Sequence, residues 1–96
     1  MCKLASIAFY FALALLVVPP ASAQLSCEKA DVWANGTPAA LSSLARRRAR
    51  AAWSARVRGE VGDAYATWSR ASSRRTSCLR EQRMYSCTVS ARPCRA

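Results

Sequence analysis

Four of the five acidic residues stand in pairs with i, i+3 spacing, Glu28 with Asp31 and Glu60 with Asp63, while Glu81 stands alone. Two carboxylates held together are the minimal equipment for general acid–base chemistry, provided one pKa is raised and a cleft holds substrate. The surrounding composition argues against that use. The 96-residue chain carries 15 Lys and Arg and a formal net charge of +10, so acids have abundant basic partners and good places at helix ends. Serines are plentiful, but the chain has no His. The usual activator of a Ser nucleophile and the commonest metal ligand are therefore both missing. No Gly-rich phosphate loop is present. The expectation is a non-enzymatic protein with no catalytic residue, metal or cofactor.

Cysteine is the other residue type able to carry chemistry, and it occurs at Cys2, Cys27, Cys78, Cys87 and Cys94. Zinc ligands usually come in pairs two to four residues apart. The gaps between Cys78, Cys87 and Cys94 are wider, and no C-x-x-C redox pair exists. Cys2 falls in a leader. Lys3 gives a positive start, Ala5 to Val18 is apolar apart from Ser6 and Tyr10, and Pro19-Pro20 stops any helix. Ala21-Ser22-Ala23 then offers the small residues that a signal peptidase reads. Residues 1–23 read as a cleaved secretory signal, and the apolar run is shorter than the roughly 20 residues of a membrane span. A lipid on Cys27 is disfavoured because Gln24 stands where such signals usually carry Leu.

Residues 24–96 remain, one small cationic domain with four cysteines, destined for the periplasm or the extracellular space. Two structural disulfides follow, because a core this small seldom supplies more than a few kcal/mol by itself.

Of the 15 basic residues only Lys3 and Lys29 are not Arg. The densest run is Arg46, Arg47, Arg48 and Arg50, and guanidinium groups make paired contacts with oxyanions. Consecutive helical residues point about 100° apart, so this run wraps around a helix instead of lining one face.

The elements that must position these residues are few. Ala30–Ala34 reads as a short strand ended by the turn dipeptide Asn35-Gly36, which with Thr37 also matches a glycosylation sequon. Ala39–Arg58 is free of Gly and Pro and rich in strong helix formers, with Thr37 as cap and Pro38 at the first helical position. Gly59 and Gly62 leave two outcomes open: one long helix, or a second helix over Ala64–Ala71 capped by Asp63. Trp53, Val57, Val61, Ala64, Trp68 and Ala71 recur at steps of three and four and form the predicted core stripe. Thr76–Leu79 and Tyr85–Ala91 read as a hairpin joined through Arg80–Arg83. The fold class is α+β.

Four cysteines allow three pairings. Strand pairing favours Cys78 with Cys87 across the hairpin and leaves Cys27 with Cys94 to join the ends. A four-residue connection would instead place Cys78 and Cys87 diagonally.

The order A-R-R-R-A-R-A-A-W, G-D-A-Y-A-T-W-S-R-A, S-C and S-C-T-V-S-A-R-P-C, from Ala45 onward, resembles a group of small exported bacterial proteins to which no function is assigned. Trp53, Gly62, Tyr65, Trp68, Ala71, Cys78, Cys87, Pro93 and Cys94 carry the resemblance. It implies a bacterial envelope location and a shared scaffold, and it brings no activity or partner.

The leading functional expectation is an envelope protein whose cationic surface contacts an anionic envelope polymer, lipid headgroups or nucleic acid. The alternative is a secreted inhibitor or effector that presents a binding loop from a disulfide scaffold. Membrane disruption would require apolar and Arg-rich faces cleanly separated on one helix, which only the half from Trp53 onward approaches.

Overall fold

The computed structural model describes residues 25–96. The secretory leader read over 1–23 lies outside them. Strands β1 (Ser26–Cys27) and β2 (Val32–Asn35) precede a single helix, α1 (Ser42–Glu60). Two 3₁₀ turns follow, Asp63–Tyr65 and Trp68–Arg70, then β3 (Ser72–Glu81), β4 (Met84–Arg92) and β5 (Cys94–Arg95). β2, β4 and β3 form an antiparallel sheet in that order, and β1 pairs with β5. The class is α+β, with one helix, a β-hairpin and two disulfides.

The helix starts later than its propensity predicts. Ala39 donates its N–H to Tyr85 O (3.0 Å) and accepts from Tyr85 N (2.7 Å), so both of its backbone groups are committed to a β-bridge. Tertiary pairing overrides the run of helix formers, and Thr37 and Pro38 do not open the helix. Leu41 becomes the N-cap, with extended backbone and no side-chain capping bond.

Gly59 continues the helix, and Gly62, at φ 142°, ends it. Of the two outcomes left open after Gly59, neither a continuous helix nor a second helix over Ala64–Ala71 forms: two 3₁₀ turns stand there, and Thr67 between them is extended (φ −89°, ψ 110°). That break redirects the stripe: Ala64 is exposed, while Ala66 and Ala71 are buried.

The helix lays Ala45, Ala49, Trp53 and Val57, all fully buried, on Ala34, Cys87, Val89 and Ala91 of β2 and β4. Val61 and Trp68 are half-buried against this cluster. Alanine dominates the contact, so helix and sheet approach closely. A Cβ built on Gly36 would stand 2.4 Å from the Ala49 backbone nitrogen. Gly36→Ala is therefore expected to destabilise by about 1–3 kcal/mol through overpacking. At Gly59, where a Cβ meets nothing within 4 Å, Ala should stabilise by about 0.5–1 kcal/mol. Thermal unfolding of the two variants reads these opposite signs, and a shift in the same direction would contradict the packing described.

The hairpin is longer than expected and its loop shorter. Glu81 faces Met84, which leaves only Gln82 and Arg83 between the strands, at φ 50° and 67°. Two consecutive positive φ values are the mark of the type I′ turn, whose twist suits a two-residue hairpin, here formed without Asn or Gly. This register sets Cys78 directly opposite Cys87, and the diagonal placement implied by a four-residue connection does not arise.

Candidate anion-binding surface

Both disulfides serve the framework. Cys78–Cys87 closes the hairpin with Cα atoms 4.1 Å apart, and Cys27–Cys94 ties β1 to β5 across 67 positions of sequence. With all four sulfurs bridged, the described cysteines are not free for thiol chemistry.

The acidic pairs do not act as pairs. Glu60 takes Arg56 (3.1 Å), Asp63 takes Arg58 (3.0 Å) and Asp31 takes Arg92 (3.9 Å). These are exposed contacts of small individual worth. Their consequence lies in what they leave over. Among the described residues, Arg46, Arg47, Arg48, Arg50, Arg70, Arg74, Arg75, Arg80, Arg83, Arg95 and Lys29 have no carboxylate partner, and all are exposed.

The Arg46–Arg50 run divides between two flanks of α1, as a 100° turn per residue requires. Arg48 reaches the β2 side, where its guanidinium donates to Pro38 O at 2.6 Å. Arg56, further along that flank, donates to Trp33 O and stands 4.9 Å from the centre of the Trp33 ring. Arg50 lies on the other flank, 5.9 Å from the centre of Trp68, and Arg46 lies one turn before it. Arg47 projects between the flanks, exposed.

β3 continues this second flank. The helix covers β2 and β4, and most of β3 stays exposed. Residues that alternate with Cys78 face the helix side of the sheet, and Arg80 is one of them. Its guanidinium sits 5.6 Å from the centre of the Tyr85 ring on the neighbouring strand. Arg46 and Arg50, on this flank of α1, and Arg80, on the exposed β3, thus stand on the two sides of the step where the helix cover ends and β3 lies open. Aromatic faces under two of these arginines hold the guanidiniums without neutralising them. Their donors remain available to oxyanions.

The sequence pattern singled out the helical run and passed over Arg80, because Arg80–Arg83 read as a connection. The hint was the spacing to Tyr85, which becomes a facing pair once the loop shrinks to two residues. Trp53 and Val57 are buried in the core cluster, and Val61 and Trp68 are half-buried against it. Among the described residues no helix is long and apolar enough to cross a membrane. No protein-family model matches the chain, and no curated protein or solved structure matches it.

Proposed function

We propose that this is an exported, non-enzymatic binding protein of the bacterial cell envelope that meets an anionic polymer through the arginines edging the α1–β3 step. The observation that carries this reading is the surplus of exposed arginines without carboxylate partners, three of them braced on aromatic rings, Arg50 and Arg80 beside the α1–β3 step and Arg95 over Tyr65 (5.7 Å). Two disulfides in so small a domain support an oxidising compartment, the periplasm or the extracellular space. Envelope polymers, lipid headgroups and nucleic acid all present the oxyanions that guanidinium recognises.

One observation favours the inhibitor or effector reading as the second choice. The hairpin tip Gln82-Arg83 is exposed and is pinned close behind by Cys78–Cys87, the arrangement of a presented loop.

Titration of the oxidised protein against a short DNA duplex, used as a generic polyanion, tests the first reading. Three engaged phosphates predict an affinity loss of about fortyfold between 50 and 200 mM salt, with little dependence on base sequence. Absence of binding at the lower salt, or an affinity indifferent to salt, would reject it and move the presented hairpin forward.

A further inference from the structure

The two edges of the three-stranded sheet are treated differently. At the β2 edge, the outward carbonyl of Trp33 is taken by Arg56 from the helix. At the β3 edge nothing comparable occurs. In an antiparallel pair only alternate residues exchange hydrogen bonds with the neighbour. A two-residue loop makes Glu81–Met84 a bonded pair, so Leu79–Ser86 and Ser77–Thr88 are bonded as well. Tyr85 and Cys87 direct their backbone groups the other way, to Ala39 and Gly36. Their partners Arg80 and Cys78, and Thr76 beyond them, therefore point N–H and C=O outward. Among the described residues no hydrogen bond reaches these groups.

We infer that this edge takes an extended acidic segment of a partner protein as an added strand. The inference rests on the anion-binding reading and adds an acidic protein segment to the anionic partners that these arginines can meet. An added strand would satisfy the free backbone groups from Thr76 to Arg80. Its side chains on the helix side would lie beside Thr76, Cys78 and Arg80, on the side of the sheet where the α1 flank carries Arg46 and Arg50. Those on the other side would lie beside Ser77 and Leu79, the latter 64% exposed. The recognised pattern is therefore acidic residues alternating with apolar or hydroxyl ones.

Charge selects against a second copy of this chain as occupant. β3 holds Arg74, Arg75 and Arg80 against the single acid Glu81, so antiparallel self-pairing brings arginines together. The same arginines that deter self-association complement an acidic strand.

Backbone pairing can be separated from simple charge attraction. The probe is a synthetic octapeptide alternating Glu with Val and Thr, compared with the same peptide N-methylated at alternate amides. N-methylation keeps the charge and removes the donors that a strand needs. The protein variant is Thr76→Pro, which deletes one outward N–H at an edge position where proline is tolerated and leaves the net charge unchanged. Its fold is checked by near-ultraviolet circular dichroism.

The expected results are saturable binding of the plain peptide and exchange protection of the Thr76, Cys78 and Arg80 amides. Affinity should fall by about tenfold or more on N-methylation or in Thr76→Pro, while DNA duplex affinity stays within about twofold. Equal affinity for plain and methylated peptides, or an unchanged peptide affinity in folded Thr76→Pro, would overturn the strand-addition inference. Duplex binding retained alongside either result would leave the anion-binding reading standing. Failure of the unmodified protein to bind either duplex or peptide would remove both.

Discussion

Trp53→Ala is expected to lower the stability of the domain by about 3–5 kcal/mol, the range for deleting a buried Trp. Trp53 is fully buried and joins three elements. It sits on α1, donates its indole N–H to Val32 O of β2 at 2.9 Å, and meets Trp68 edge-on with ring centres 5.1 Å apart. The buried cluster that it joins is otherwise alanines, Val57, Val89 and Cys87, short side chains with little reach to collapse into the space left. Trp53→Phe keeps most of the volume but loses the indole donor to Val32 O, and should cost about 0.5–1.5 kcal/mol. Urea unfolding of the oxidised proteins measures both. A loss under about 1 kcal/mol in the Ala variant would mean that Trp53 is not the junction of the core.

The second large effect concerns the longer staple. Cys27–Cys94 spans 67 positions and Cys78–Cys87 spans 9. The loop-entropy relation assigns about 4 kcal/mol to the first and about 3 kcal/mol to the second. The surroundings widen that gap. β1 and β5 hold each other by two residue pairs only, so without their disulfide the two ends have little to keep them together. The β3–β4 ladder extends over most of both strands and survives loss of its own bridge. Paired Cys→Ala variants compared by urea unfolding should show the larger loss for Cys27/Cys94. A larger loss for Cys78/Cys87 would contradict the ledger of loops and ladders. A non-reducing peptide map joining Cys87 to Cys94 would contradict the pairing itself.

What could be read in advance followed from local rules. The step of four from Trp53 to Val57 located the helix face that is buried, and β-branched and aromatic residues near Tyr85 and Val89 located a strand. What escaped depended on contacts distant in sequence. Nothing near Ala39 signals that Tyr85 will take both of its backbone groups and delay the helix. Gln82 and Arg83 lack the residue types that announce a type I′ turn, so local rules end the first hairpin strand at Leu79 and place Arg80 in the connection. The stripe through Ala64 and Trp68 had helical spacing, yet Thr67 is extended and Trp68 returns to Trp53 from a separate turn. The arginine run was legible as charge and as a spiral. Which of its members face β3 depended on where the sheet lies under the helix.

The proposed anion binding is localised at the α1–β3 step and not spread over a uniformly basic surface. The deciding comparison is between two triple variants that lose the same charge from residues without carboxylate partners, Arg46/Arg50/Arg80→Gln and Lys29/Arg47/Arg95→Gln. Both are titrated against one DNA duplex at about 150 mM salt, where exposed charges beyond about 8 Å are screened. The first variant should lose roughly tenfold or more in affinity, and the second should stay within about threefold of the unmodified protein. Equal losses in the two variants, or no binding by the unmodified protein at this salt, would contradict this localisation.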